Sequence, residues 1–177
     1  MRSRLLGVLF TLLVVCTAQA GVIVLSGDTS GMPTWNRPLS GDPPVSLSGV
    51  GTAVAYQAVP FWVDTSGVYT LEITAFAPGD SFLVLYENSF NPSSPLTNSL
   101  IADDDSGADL LSMLSHDLGS GVDYIAVVTA FSNTQAGAWT MEISGPGNIE
   151  AAVPEPHTLS LLGLGLAALL VRRRIIH

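Results

Sequence analysis

The sequence is poor in charge, in cysteine and in basic residues. Only 12% of its 177 residues are charged, it contains no lysine, and its one cysteine is Cys16. Low charge combined with 17 glycines and 11 prolines argues against a coiled coil or a helical bundle. The composition favours a β-rich chain with many turns, and the length favours one domain.

Positive charge is confined to a few arginines at the two ends and one in the middle. These are Arg2, Arg4, Arg37, Arg172, Arg173 and Arg174. Residues 21–153 carry fourteen acidic residues against a single arginine, which leaves thirteen net negative charges. Such a surface repels phosphate, so nucleic-acid binding is excluded and direct docking on anionic lipid is disfavoured.

Residues 1–20 have the pattern of a secretory signal peptide. Two arginines precede an apolar run, Leu5–Val15, and Ala18 and Ala20 form an A-x-A cleavage signal. An uncleaved anchor and lipoprotein processing at Cys16 are the alternatives. Cleavage after Ala20 leaves no cysteine, so the exported domain must rely on core burial or metal and has no thiolate ligand or nucleophile.

The C-terminal segment combines three features in order. Pro154, Glu155 and Pro156 form a rigid, non-helical segment. An uncharged, leucine-rich run follows at 158–171, and three arginines, Arg172–Arg174, come directly after it. As a helix the run is roughly 21 Å long, against about 30 Å of bilayer hydrocarbon. We expect a marginal transmembrane helix with snorkelling arginines and a cytoplasmic C-terminus.

This tail resembles a PEP-CTERM protein-sorting signal, which joins a Pro-Glu-Pro motif, a short transmembrane stretch and an arginine cluster. The resemblance implies a Gram-negative bacterium and processing by a membrane enzyme, exosortase. It also implies transit through the inner membrane and release to the cell surface or an exopolysaccharide matrix. A GPI signal lacks the arginine cluster, and a permanently anchored protein is the other alternative.

The middle of the chain predicts an all-β fold, a single antiparallel, jelly-roll-like sandwich at residues 51–147. Apolar and polar residues alternate in two segments, and two continuous apolar runs fit strands buried on both faces. The predicted strands are Val22–Leu25, Val54–Val63, Tyr69–Ala75, Phe82–Tyr86, Leu110–Leu114, Tyr124–Thr129 and Trp139–Ile143. Residues 21–50 are predicted to be a loosely ordered lead-in, and 148–153 a linker to the tail at 154–177.

A weaker resemblance covers residues 61–147. The stretches FWVDTSGVYTLEI, DSFLVLYE, ADDDSG, LGSGVDYIAVVTA and GAWTMEISGPG are similar to secreted β-sandwich domains related to bacterial pre-peptidase C-terminal domains. The resemblance implies the fold and an accessory module without catalytic activity.

The densest chemical cluster is the acidic run at residues 103–109. Asp103, Asp105 and Asp109 alternate around a glycine turn, and Asp80 enters a strand that the sandwich could bring close. Oxygen ligands on a loop suit calcium, although Leu114 stands where an EF-hand needs glutamate. The alternative is a solvated acidic turn that protects the sheet edge from pairing with other strands. The sequence therefore predicts no required cofactor, and calcium is the candidate ligand.

The aromatic residues offer a second candidate site. Trp35, in the lead-in, and Trp62, next to Phe61, are candidates for stacking on a sugar, whereas the alternating pattern around Trp139 favours the core.

Catalysis has little support in the sequence. His116 is the one histidine outside the tail, and its neighbour Asp117 would point to the opposite face of a strand. The sequence therefore predicts a non-catalytic structural or exopolysaccharide-associated binding module, with a surface hydrolase of polysaccharide or peptide as the alternative.

Overall fold

The computed structural model describes residues 20–152, which form ten strands and no helix. The strands are β1 (Gly21–Asp28), β2 (Thr34–Trp35), β3 (Val54–Val63), β4 (Gly67–Phe76), β5 (Ser81–Glu87), β6 (Ser99–Asp103), β7 (Met113–Leu118), β8 (Tyr124–Ala130), β9 (Ala138–Gly145) and β10 (Ile149–Ala151). No helix with the length and apolarity needed to cross a membrane occurs in this part of the chain. The predicted helix at 158–171 and the signal peptide before Ala20 lie outside the described residues.

The strands form two antiparallel sheets. One has four strands in the order β1-β9-β4-β7, and the other has six, β10-β3-β8-β5-β6 with β2 also paired to β3. Without β2 and β10, the eight remaining strands have the order of a jelly roll, in which the chain passes repeatedly from one sheet to the other. The prediction of an all-β sandwich is confirmed.

The core between the sheets follows the predicted alternation. On β4, Tyr69, Leu71 and Ile73 are fully buried. Met141 and Ile143 lie beside them on β9, the neighbouring strand of the same sheet, and are also buried. They pack in one cluster with apolar residues of β3, β5 and β8. Period-two patterning therefore placed the inner face of the four-stranded sheet correctly.

The two continuous apolar runs are buried on both faces, as predicted. Every residue of β8 is buried, and so are the first six of β5. On the outer face, Phe82, Val84 and Tyr86 form a second cluster with Ile125 and Val127. The six-stranded sheet therefore requires a covering layer on the side away from the sandwich core.

The segment predicted to be a loosely ordered lead-in supplies that layer, so this prediction was wrong. Gly21–Asp28, which contains the predicted strand Val22–Leu25, is an edge strand paired with β9 along its full length. The chain then crosses the outer face, where Trp35 is only 4% exposed and its ring lies 5.2 Å from that of Phe90 and 5.6 Å from that of Tyr56. The buried Trp35 side chain therefore anchors this segment on the sheet, although the segment has no periodic pattern of hydrophobic residues.

Three short strands also differ from the prediction. Ser99–Asp103 and Ile149–Ala151 are strands that the sequence analysis did not identify, and the latter lies inside the predicted linker. The strand predicted at Leu110–Leu114 is shifted to Met113–Leu118, and Leu110 is exposed in the preceding turn. These strands are short or end in polar residues, so their pattern is weak.

Candidate functional site

The acidic run at 103–109 begins with a residue that is engaged in the local fold. Asp103 ends β6, and its carboxylate accepts hydrogen bonds from Ser106 N at 3.0 Å, Ser106 Oγ at 2.6 Å and Met113 N at 2.9 Å. Asp109 is exposed in the following turn, with φ of 56°. The two residues thus shape the turn, and the structure does not bring them into one cluster with Asp80 and Asp105.

Three other carboxylates do converge. Asp80, Asp104 and Asp105 each offer an oxygen within 4.8 Å of the others. Because β5 and β6 are antiparallel neighbours, the turn before β5 lies next to the end of β6. The sequence analysis named Asp80 and Asp105 but missed Asp104, which the alternate-position pattern placed between two candidate ligands.

The ionised forms of Asp104 and Asp80 are energetically disfavoured in this carboxylate cluster. Burial, followed by repulsion from Asp105, raises the pKa of Asp104 to about 6, and attraction by Arg37 opposes the shift. Asp104 Oδ1 is buried and has no hydrogen-bond partner among residues 20–152. Burial also raises the pKa of Asp80. A bound proton or a divalent cation would relieve this arrangement.

Arg37 lies behind the cluster as a buried part of the outer layer. Its guanidinium carbon sits 3.9 Å from the centre of the Phe82 ring and 4.9 Å from that of Phe131. It donates to the Phe131 carbonyl from Nε at 3.1 Å and Nη2 at 3.0 Å, and from Nη1 to the Pro38 carbonyl at 3.0 Å. Burial lowers its pKa, and the attraction of Asp104 opposes this.

A shallow groove opens on the outer face of the six-stranded sheet, beside the aromatic layer. It encloses about 470 Å³, and its lining includes the apolar residues Pro60, Trp62, Phe90 and Ile125. Asn88, at φ of 63°, also lines it and donates its backbone N–H to the Asp123 carbonyl at 2.7 Å. We call this the Trp62 groove.

The three tryptophans have different environments. Trp35 is buried in the outer layer, so it is not an accessible stacking residue and that prediction was wrong. Trp139 is 3% exposed and donates its indole N–H to Gln57 Oε1 at 3.0 Å, as a core residue. Trp62 is 40% exposed and forms a wall of the groove.

Comparison with protein families identifies the segment that follows the last strand. The family described as the PEP-CTERM protein-sorting motif matches residues 152–174. The chain carries a PEP-CTERM sorting motif. No curated protein matches the chain significantly. The motif implies export, sorting to the surface or membrane, and processing by exosortase.

The PEP-CTERM match contains the residues that the sequence analysis assigned to sorting. Pro154, Glu155, Pro156 and the arginines at 172–174 all fall inside it. The match begins at Ala152, directly after β10, and Ala152 N donates to the Pro60 carbonyl at 2.9 Å. The last residue that the structure describes is therefore the first residue of the match, and it lies beside β3, the strand that carries Trp62.

Proposed function

We propose that this exported protein is a non-catalytic binding component of the cell surface or extracellular matrix, and that it binds exopolysaccharide in the Trp62 groove. The sorting motif supports the location, and the exposed Trp62 is the observation that supports the binding role.

His116 pairs with Tyr69 on β4, whereas Asp117 pairs with Val68 on the other face. This arrangement offers no support for a Ser-His-Asp site.

The chemistry of the groove suits a sugar ring. An indole face provides a flat apolar surface for the C–H groups of a pyranose, and a tryptophan side chain loses little entropy on binding because it has only two rotatable torsions. Asn88 and Asp123 offer donors and acceptors for hydroxyl groups at the rim. The thirteen net negative charges of residues 21–153 favour a neutral polysaccharide over an anionic one.

Affinity electrophoresis tests this proposal, using the protein recovered from the host's surface in gels that contain the host's neutral exopolysaccharide. Trp62→Ala should lower the affinity about tenfold, and Trp62→Phe should retain part of it. Val68→Ala is the matched control, because Val68 is 62% exposed on the other sheet. Equal retardation of the wild type and Trp62→Ala would contradict the proposal.

We further propose that the carboxylate cluster binds calcium as a structural ion. The three close carboxylates supply hard oxygen ligands, and Asp104 Oδ1 is buried with no hydrogen-bond partner in the described part of the chain. Water and backbone carbonyls would complete the shell. Calcium at a hundred times its Kd should stabilise the fold by about 2.7 kcal/mol.

A thermal-unfolding assay with and without calcium measures this stabilisation. Asp105→Asn should abolish the shift in melting temperature, whereas Asp109→Asn should keep it, because Asp109 lies outside the cluster. An unchanged melting temperature of the wild type in millimolar calcium would refute the proposal.

A further inference from the structure

The last described residues, β10 and Ala152, lie beside the strand that carries two lining residues of the Trp62 groove. In the pairing of β10 with β3, Glu150 lies opposite Trp62 and Ala151 opposite Phe61, and Ala152 then bonds to Pro60. Pro60 and Trp62 both line the groove. The Pro-Glu-Pro motif begins two residues later, and two residues span at most about 7 Å. Adjacent strands are about 4.8 Å apart, so the motif begins within reach of the groove.

The chemistry of the motif matches the groove. Proline-rich segments favour the extended polyproline II conformation and dock in aromatic-lined grooves at low entropic cost. Pro60, Phe90 and Ile125 provide an apolar floor beside the exposed indole. The Asp123 carboxylate would repel Glu155, so the proline rings are the groups that fit. A short tether gives an effective concentration in the millimolar range, so a weak contact suffices.

We propose that Pro154–Pro156 docks in the Trp62 groove of its own domain before processing, so that the sorting motif and polysaccharide compete for one site. This inference rests on the proposed function and adds its regulation. Because coupling is reciprocal, polysaccharide that occupies the groove releases the motif for exosortase, and removal of the motif opens the groove. The folded but unprocessed chain is therefore a weak binder.

Quenching of tryptophan fluorescence by acrylamide tests the docking directly. Trp35 and Trp139 are 4% and 3% exposed, so the quenchable signal comes from Trp62. Full-length wild type and the full-length double variant Pro154→Ala/Pro156→Ala are compared in the same detergent. The double variant should show a quenching constant at least about twofold higher, and Gly163→Ala, a control in the apolar run, should match the wild type. Adding Trp62→Phe should abolish the difference.

The same two full-length proteins are then titrated with neutral exopolysaccharide. The double variant should bind at least about threefold more tightly than the wild type. Equal quenching of the wild type and the double variant would overturn the docking, whatever the titration shows. Failure of both proteins to bind polysaccharide, together with tail-dependent quenching, would refute the sugar ligand and leave the docking supported.

Discussion

Replacing Trp35 with alanine tests whether residues 29–53 form a structural layer. The side chain is 4% exposed, lies among the rings of Tyr56, Tyr86 and Phe90, and donates its indole N–H to Thr129 Oγ1 at 3.5 Å. Truncating a buried tryptophan costs about 3–5 kcal/mol, combining lost transfer energy with the cavity left behind. The long hydrogen bond contributes little to this loss.

The assay is equilibrium urea unfolding of Trp35→Ala beside Trp62→Ala. The midpoint of Trp35→Ala should fall by an amount equivalent to about 4 kcal/mol, whereas Trp62→Ala should lose about 2 kcal/mol, because 40% of the Trp62 side chain is already exposed. A loss below about 1 kcal/mol for Trp35→Ala would show that this segment does not cover the sheet. It would refute the reasoning that β5 and β8 need an outer layer.

Three further perturbations test other contacts. Gly145→Ala places a Cβ in the ring of Tyr69, so it should lower the unfolding free energy by about 2–3 kcal/mol in the same urea assay, and an unchanged midpoint would contradict the packing. Arg37→Lys keeps the charge but loses the fork on the Phe131 carbonyl, so thermal unfolding should show a loss of about 2 kcal/mol. In chelator, the folded Asp104 binds its proton more tightly than the unfolded chain does, because its pKa is raised to about 6. The unfolding free energy of Asp104→Asn should therefore exceed that of the wild type at pH 7.5 by about 1 kcal/mol after solvent screening. This difference should shrink towards pH 4, where the wild-type carboxyl is protonated. A difference that grows towards pH 4 would contradict the raised pKa.

The sequence predicted the parts of the fold that repeat. Alternation in β4 and β9 located the inner face, and the runs in β5 and β8 predicted burial on both sides, because a side chain's face in a strand depends only on its parity. The outer layer was missed because its order depends on isolated contacts. Trp35 and Arg37 lie among glycine, proline and serine, and no periodic pattern marks which face they cover.

The candidate sites were predicted in part. Asp80 and Asp105 lie together because β5 and β6 pair, but β6 itself was not identified, so the sequence could not show that Asp103 turns towards Met113 while Asp104 joins the cluster. Trp62 was a candidate from the start, because it follows Phe61 in an apolar strand. The presence of the sorting motif was predicted from the sequence and is confirmed by the family match at residues 152–174, because the motif lies in contiguous residues.

The central claim is that Trp62 contacts polysaccharide. Oxidation by N-bromosuccinimide, read by mass spectrometry of peptides, reports this contact on the protein recovered from the host's surface. Without polysaccharide, Trp62 should be oxidised well before the buried Trp35 and Trp139. With saturating neutral exopolysaccharide, Trp62 should be protected. Full oxidation of Trp62 while the protein remains bound to the polysaccharide would contradict the account.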